Sequence, residues 1–359
     1  MLSTGGKLGF IVPDSFLLGR YYSKIREYIL ENSQIDLIAH IAEPVFKKAA
    51  TGYLTICVFT KQSNRAINEA SLINIYQLHE AEINNDMPPQ CQYQQSYFTS
   101  MPHKRFRIFF SEQAKQLVDR LDEMGAALKN FASGHTGIRA LSGQSDIISA
   151  TPLSPTWQRG IISGSQVHRY NLEYHGHWLD IDPMKLYKGG WNDRIIKQRK
   201  ILIRQTGYHI TCSIDNYGYY HLNNIHSFVI NQQGLTLDYL LLLLNSRLIS
   251  FYYHIISMEY GRSMAQIDIE TLELLPIVVE KQINLQAPNL VELMETCVRE
   301  SLDEGFGVSK KVTAFDEYLN QLVYRIYNLS DADIKFIENY EAKLTKSSSK
   351  KVNTKNVFL

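Results

Sequence analysis

The chain has 359 residues, 45% of them hydrophobic, so it can bury more than one core and predicts two or three folded domains. A formal net charge of +1 lacks the excess of Lys and Arg that a protein dominated by phosphate contacts usually carries. The four cysteines lie far apart without a CxxC pair, which argues against a zinc site or a disulfide framework and favours a reducing, cytoplasmic compartment.

The first hundred residues predict part of an α/β domain. Gly5 and Gly6 predict the left-handed end of a helix, and Leu8 to Val12 is a short apolar run typical of a strand covered on both faces in a parallel sheet. Ser15 is positioned to cap a helix over "FLLGRYYSKIREYILENS". "IDLIAHIAE" and "TGYLTICVFTK" then predict two strands, so the order is that of the closing half of an open α/β sheet.

The middle of the chain changes character several times. Polar residues from about Asn64 to Tyr97 predict a loop or linker, and "SEQAKQLVDRLDEMGAALKNFA" predicts an amphipathic helix. The glycine- and tyrosine-rich stretch from Ser133 to about Phe228 predicts an irregular β-rich domain. "LDYLLLLLNSRLISFYYHII" is too apolar for a surface helix, so it predicts a helix in the core of that domain. Its longest apolar run, Tyr239 to Leu244, is far shorter than the ~20 residues that a membrane span needs. We therefore expect no membrane partner.

The last ordered unit is predicted to be helical. In "YNLSDADIKFIENYEAKL", Ser330 is a candidate N-cap, with Asp333 three residues later and Leu329 and Ile334 as a hydrophobic staple. The segment after Thr345 is polar and basic, which predicts disorder.

Five blocks of sequence resemble one known family. They are "LSTGGKLGFIVPDSFLLGRYYSKIREYI", "EPVFKKAATGYLTICVF", "RKILIRQTGYHITCSIDNYGYYHLNNIHSF", "LLLLLNSRLISFYYHIISMEYGRSMAQIDIETLELLPI" and "YLNQLVYRIYNLSDADIKFIE". In this order they resemble the carboxy-terminal half of adenine-N6 DNA methyltransferases of the type IIG restriction-modification class, including their TaqI-like specificity domain. The likeness runs from about residue 3 to residue 343. Single blocks such as "GGKLGFIVP" are common in α/β enzymes, but five blocks in the family's order are hard to obtain by chance.

The resemblance implies a domain organisation. It implies an α/β remnant of a Rossmann-like methyltransferase sheet over 1–98 and an α+β target-recognition domain over 99–282. A helical segment follows over 283–345, and 346–359 is the basic tail.

The resemblance also implies that the catalytic motifs are missing. In the family, the glycine-rich loop for S-adenosylmethionine and the Asn-Pro-Pro-Tyr motif both precede the strand that matches Leu8 to Val12. The exocyclic amine of adenine is a poor nucleophile, and that motif holds the flipped base so that the amine can attack the cofactor's methyl group. We expect no catalytic residue and no bound cofactor in this chain. S-adenosylmethionine would serve the complete enzyme, with a missing or separately encoded amino-terminal half as partner.

Four other segments have simpler explanations. Asp86-Met87-Pro88-Pro89-Gln90 ends in Gln rather than in an aromatic residue, which favours a loop. Gly305-Phe306-Gly307 follows an acidic helical stretch rather than a strand, which favours an interhelical turn over a cofactor loop. His175-Gly176-His177 lacks further metal ligands at suitable spacing, and Glu341-Ala342-Lys343 imitates a nuclease motif without its partner Asp.

The candidate functional residues are predicted to face double-stranded DNA. "KLYKGGWNDRIIKQRKILIR" has seven cations and one acid, which indicates either a solvated basic face or a nucleic-acid surface. Lys200 and Arg204 alternate along a predicted strand, so both would point from one face towards phosphates or guanine edges. Hydrogen bonding within the helical core is the alternative for Asn245 and Ser246. The predicted DNA contacts are Thr136, Gly137, Arg139, Lys197, Lys200, Arg204, Thr206, Gly207, Asn245, Ser246, Arg247, Arg262 and Gln266.

Tyrosines near "NYGYYHLNN" have two interpretations. Packing in a β-rich domain is the usual one, but Tyr217, Tyr219 and Tyr220 could include a base-stacking residue. The leading hypothesis is therefore a DNA-binding target-recognition portion of an adenine-specific methyltransferase that is not catalytic alone. The alternative is a protein-interaction module that docks through an open sheet edge to a separately encoded catalytic half.

Overall fold

The computed structural model describes residues 2–41, 53–78, 87–190, 193–232, 234–259, 265–303 and 309–349. The architecture is mixed α/β, with several sheets and a helical carboxy-terminal part, as the sequence predicted. The chain divides into two compact units, Met1–Asp119 and Arg120–Leu359. This division lies inside a helix and comes later in the chain than the predicted boundary at residue 98.

The first unit contains a five-stranded mixed sheet in the order β1-β3-β2-β4-β5. Strand β3 is antiparallel to both β1 and β2, β2 is parallel to β4, and β4 is antiparallel to β5. The elements are β1 (Lys7–Pro13), α1 (Ser15–Leu18), α2 (Ser23–Asn32), β2 (Ser33–Ile41), β3 (Leu54–Lys61), α3 (Arg65–Ala70), β4 (Leu72–Leu78), β5 (Cys91–Gln94), α4 (Ser96–Ser100) and α5 (Glu112–Met124), which continues into the second unit.

Strand β1 lies at the edge of this sheet. The prediction that Leu8 to Val12 is covered on both faces in a parallel sheet is wrong, because in the described part of the chain β1 pairs only with the antiparallel β3. Its apolar side chains are open to solvent: Leu8 is 46%, Phe10 54% and Ile11 46% exposed. Successive residues of a strand point to opposite faces, so β1 is exposed on both.

The segment from Asn64 to Tyr97 is not the predicted loop, because it contains α3, β4, β5 and the start of α4. In β4, Ile73 and Ile75 are fully buried and alternate with more exposed residues. In β5, the buried Cys91 and Tyr93 likewise alternate with exposed glutamines. The strands were missed because polar residues fill several alternate positions, whereas pairing of β4 with β2 and of β5 with β4 decides their conformation.

The second unit combines small sheets with long helices. Its sheets have the orders β14-β13-β16-β7, β15-β9-β12-β8, β10-β11 and β17-β6. The strands are β6 (Ala126–Ala127), β7 (Ala132–Thr136), β8 (Ile148–Ser149), β9 (Trp157–Ile161), β10 (Val167–His168), β11 (Asn171–Leu172), β12 (Trp178–Asp180), β13 (Lys200–Arg204), β14 (Cys212–Asp215), β15 (Tyr220–His221), β16 (Ile225–Ile230) and β17 (Pro276–Ile277). The helices are α6 (Asp193–Ile196), α7 (Leu237–Leu244), α8 (Arg247–Ser257), α9 (Ile269–Leu272), α10 (Lys281–Asp303), α11 (Lys310–Ile326) and α12 (Asp331–Ser349).

The predicted apolar core helix is buried, but it is two helices. Helix α7 ends at Leu244, and the side-chain oxygen of Ser246 accepts the Ile249 N–H at 3.2 Å, which starts α8 as an N-cap. No single helix among the described residues is long and apolar enough to cross a membrane. Helices α7 and α8 together have the length and composition of a membrane span, but they are bent by 65° relative to each other.

The predicted cap of the last helix is present. The Ser330 hydroxyl accepts the Asp333 N–H at 3.2 Å, and the Asp333 carboxylate accepts the Ser330 N–H at 3.1 Å. Helix α12 continues to Ser349, so residues 346–349 are helical rather than part of the predicted disordered tail. The rest of that tail lies outside the described residues.

Candidate DNA interface

The sheet β14-β13-β16-β7 positions several predicted DNA contacts at one end of its strands. Arg204 pairs with Ile225, and the neighbouring His226 pairs with Thr136. The middle of β13 anchors the sheet, because Leu202 and both flanking isoleucines are fully buried. The strand ends therefore have fixed positions.

Beyond these ends, the structure brings together Thr136, Thr206, Gly207 and Gln266, which we call the Thr206 cluster. Thr206 forms a bridge with Gln266, and the Gly207 N–H donates to the Ala265 carbonyl at 3.1 Å. The exposed members are Thr136, Thr206 and Gln266.

His226 connects Thr136 to the rest of the cluster. Its Nδ1 lies 3.3 Å from the Thr136 hydroxyl and its Nε2 lies 2.8 Å from the Ile267 carbonyl. Burial lowers the pKa of His226, so the neutral ring is favoured. The cluster offers polar groups suited to base edges or phosphate oxygens. The predicted contact Arg262 lies outside the described residues.

Two predicted cations on β13 serve the fold instead. Lys200 and Arg204 do share a face of the strand, but Lys200 is 0% exposed. Its ammonium donates to Asp215 and to the Ile196 carbonyl. Arg204 donates to the Gly164 and Val167 carbonyls, both at 2.8 Å. The prediction that Lys200 is open to a phosphate is therefore wrong, because its charge is neutralised inside the unit.

Gly137 has a packing role. A Cβ at this position would lie 2.0 Å from the Leu222 carbonyl oxygen, and the Gly137 N–H donates to the Ile225 carbonyl at 3.1 Å. Two other predicted cations, Arg139 and Lys197, are exposed, unlike Lys200. The structure leaves these two side chains accessible to a ligand, and their role in DNA binding stays a prediction.

Asn245, Ser246 and Arg247 line a cavity of about 560 Å³ between α8, α11 and α12. Asn245 and Ser246 are each 3% exposed. The Asn245 amide bonds the backbone of Cys212 in both directions, accepting its N–H at 3.2 Å and donating to its carbonyl at 3.0 Å. Arg247 donates to Glu317 at 2.7 Å. These contacts favour the alternative in which Asn245 and Ser246 hold the core together.

A buried ion pair closes the same cavity. Arg169 donates to both carboxylate oxygens of Asp316, at 2.6 and 3.3 Å, and to the Asn245 carbonyl at 2.7 Å. Burial lowers the pKa of Arg169, but the charge and hydrogen bonds of Asp316, together with Tyr170 and Cys212, raise that pKa above its usual value. The Arg169 guanidinium therefore stays charged and links the end of β10 to α11. No local sequence pattern predicts this pair, because Arg169 and Asp316 lie 147 residues apart in the chain.

The structure contains no group of three or more His, Cys, Asp or Glu residues within the described ranges that could hold a metal ion. At His175-Gly176-His177, the two rings are 6.5 Å apart and Gly176 turns the chain with φ 81°. The Nε2 atom of His175 lies 3.1 Å from the Glu173 carboxylate, so this imidazole already has a hydrogen-bonding partner.

Residues 159–277 match the model of the TaqI-like C-terminal specificity domain. This part of the chain is therefore similar to TaqI-like specificity domains. The match begins within β9 and runs to the end of β17. It includes the Lys200–Asp215 pair and three members of the Thr206 cluster, but Thr136 lies before it. No curated protein sequence matches the chain significantly.

Solved structures of restriction-modification proteins are similar to the chain. The type IIL enzyme MmeI in complex with DNA has a TM-score of 0.51 at 11% identity, with 96% of this chain and 50% of MmeI covered. This similarity shows a shared fold. The type IIG restriction endonuclease BpuSI has a TM-score of 0.34 at 10% identity, with 91% and 48% covered. The HsdS subunit from Thermoanaerobacter tengcongensis has a TM-score of 0.31 at 10% identity, with 60% and 51% covered. The chain spans about half the length of each of these proteins.

Proposed function

We propose that the chain is the DNA-binding target-recognition portion of an adenine-specific (N6) DNA methyltransferase of a restriction-modification system, and that it is not catalytic alone. The match of residues 159–277 to the TaqI-like specificity domain carries this proposal. The fold shared with MmeI, whose structure contains DNA, supports it. The Thr206 cluster and the exposed Arg139 and Lys197 supply the polar and cationic groups that a DNA surface needs.

The first unit supports the methyltransferase part of the proposal. In β1-β3-β2, the middle strand is antiparallel to both neighbours, and α2 lies between β1 and β2 in the chain. This order suits the closing strands of a methyltransferase sheet. We assign β1, β3 and β2 to that role.

We infer that the described residues of this unit do not bind S-adenosylmethionine. Strand β1 leads into α1 through Pro13 and Asp14 rather than through a glycine-rich turn, and Asp14 is buried, 3.4 Å from His40. The proposal therefore assigns cofactor binding and methyl transfer to another half of the enzyme, encoded upstream or separately.

The exposed edge of β1 also favours a second candidate function, docking to a protein. Apolar side chains of α2 in the same unit are also exposed, with Ile25 at 46% and Tyr28 at 61%. An apolar edge strand is prone to pair with another chain. In this candidate the chain would be an interaction module without DNA affinity.

Duplex binding separates the two candidates. The proposed function predicts that the purified chain binds duplex DNA, that binding weakens steeply with salt, and that the chain transfers no methyl group from S-adenosylmethionine to duplex adenine. Robust methylation by this chain alone would overturn the non-catalytic assignment. Absence of duplex binding at low salt would favour the interaction module.

A further inference from the structure

The turn between β14 and β15 presents an aromatic side chain to solvent. Tyr217 is 79% exposed, whereas the two tyrosines that follow it are buried, with Tyr219 7% and Tyr220 3% exposed. Packing in the β-rich domain therefore explains Tyr219 and Tyr220, but it does not explain Tyr217. A large exposed aromatic side chain held in a fixed position is typical of a recognition surface.

The turn is held rigidly from below by Asp215. Its carboxylate accepts the backbone N–H groups of Tyr217, Gly218 and Tyr219 at 2.8, 3.0 and 2.8 Å. The same carboxylate pairs with Lys200 at 2.5 Å, and both side chains are 0% exposed. A fully buried ion pair is costly to desolvate, so it is weak evidence for added stability and suits a role in fixing one conformation.

Neighbouring residues fix the sides of the turn. Gly218 adopts φ 74°, and a Cβ there would lie 3.1 Å from the Cα of Lys197. The Arg199 guanidinium donates to the Asn216 side chain at 2.7 Å and pairs with Asp238 at 2.8 Å. The turn therefore needs little further ordering when a ligand binds.

Tyr217 continues a row of aromatic rings. Its ring centroid is 5.5 Å from that of Tyr219, which stacks on Tyr174 at 4.6 Å with an interplanar angle of 16°. The exposed Arg159 lies near this row, because its positive charge acts on Tyr174. Burial raises the pKa of Tyr174, and the charge of Arg159 lowers it. Cations therefore flank the row, with Arg159 near Tyr174 and Lys197 beside the turn.

We propose that Tyr217 is a stacking residue that packs its ring against a nucleobase of DNA bound by the specificity domain, with Lys197 and Arg159 facing the neighbouring phosphates. This inference rests on the proposed function. Bases stack on aromatic side chains whatever their identity, because every base has a flat π-face. Tyr217 would therefore add affinity and place a distorted or unstacked base, and exposed polar groups such as the Thr206 cluster would supply sequence readout.

The test is fluorescence anisotropy of the full chain with a fluorescein-labelled duplex of mixed sequence and with its single strand. Tyr217→Ala should weaken binding by about 5- to 100-fold, the loss of one stacked base, whereas Tyr217→Phe keeps the ring and should bind like wild type. The slope of affinity against salt should stay unchanged in Tyr217→Ala, because no phosphate contact is lost. Lys197→Ala should reduce that slope.

Tyr318→Ala is the matched control, since Tyr318 is 47% exposed on α11. Its affinity should equal that of wild type, and thermal melts should show all four variants folded. If Tyr217→Ala binds as tightly as Tyr318→Ala, the stacking role is wrong while DNA binding stands. If wild type binds neither probe at low salt, the proposed function fails and the inference fails with it.

Discussion

Replacing Asp215 with alanine should destabilise the second unit by about 3–5 kcal/mol, the usual cost of removing one partner from a buried ion pair. The magnitude follows from the burial of Lys200, which is 0% exposed and would keep a charge without its counterion. The change also removes the acceptor of three backbone N–H groups in the Tyr217 turn. Each costs about 1–3 kcal/mol if it stays buried without an acceptor, and water at the turn will reduce that cost.

Proton release from Lys200 gives the prediction a pH dependence. Burial lowers the pKa of Lys200, and Asp215 acts against that lowering. Without Asp215 the amine loses its proton more readily, and the neutral amine is cheaper to bury. The destabilisation of Asp215→Ala relative to wild type should therefore be smaller at pH 9 than at pH 7.

Urea unfolding followed by far-ultraviolet circular dichroism measures these changes. The variants are Asp215→Ala, Lys200→Met and the double variant Lys200→Met/Asp215→Ala. The double variant should cost less than the sum of the two single variants, because both charges are removed together. Lys311→Met breaks an exposed pair with Glu300, with side chains 62% and 53% exposed, and should cost less than about 1 kcal/mol. Equal costs for Asp215→Ala and Lys311→Met would refute the reasoning.

Three further predictions concern packing, pH and the sheet edge. Gly137→Ala should lower the free energy of unfolding in urea by about 1–3 kcal/mol, because its Cβ would be forced onto the Leu222 carbonyl. Gly9→Ala is the control, since a Cβ there has no other atom within 4 Å, and it should change that free energy by less than half as much. Equal effects would contradict the packing role of Gly137. Burial, and then His209, lower the pKa of His254 to about 3. The neutral ring therefore contributes folding stability above the unfolded pKa of 6.5, and this stability is lost as pH falls towards 3. His254→Phe should reduce the loss of unfolding free energy between pH 7 and pH 4.5 by about 2–3 kcal/mol, and an unchanged loss would contradict this. The exposed edge of β1 predicts that the wild-type chain self-associates as its concentration rises in sedimentation runs. Phe10→Lys should weaken this association and leave the melting temperature nearly unchanged, whereas undiminished association would show that the β1 edge is not the contact.

Local signals explain what was predictable. The cap at Ser330 and Asp333 was found because both partners lie within one turn of helix. Strands β2 and β3 were found because their apolar residues are continuous or alternate clearly. Strand β4 was missed because its register depends on β2, which lies more than thirty residues earlier in the chain.

The candidate site depends more on distant partners. Alternation correctly placed Lys200 and Arg204 on one face, but the burial of that face is decided by Asp215 and by the loop around Gly164. The exposure of Tyr217 follows from the same Asp215, whose carboxylate shapes the turn. Composition gives the number of charged residues, but it does not show that a cation such as Lys200 is neutralised by a buried partner.

Selection from a random duplex library tests the central claim most directly. The purified chain would be incubated with the library at moderate salt, and the bound DNA sequenced over successive rounds. The account predicts enrichment of one short sequence whose affinity for the chain falls steeply as salt rises. A bound pool that stays random, or no retained DNA even at low salt, would contradict the claim that this chain reads DNA.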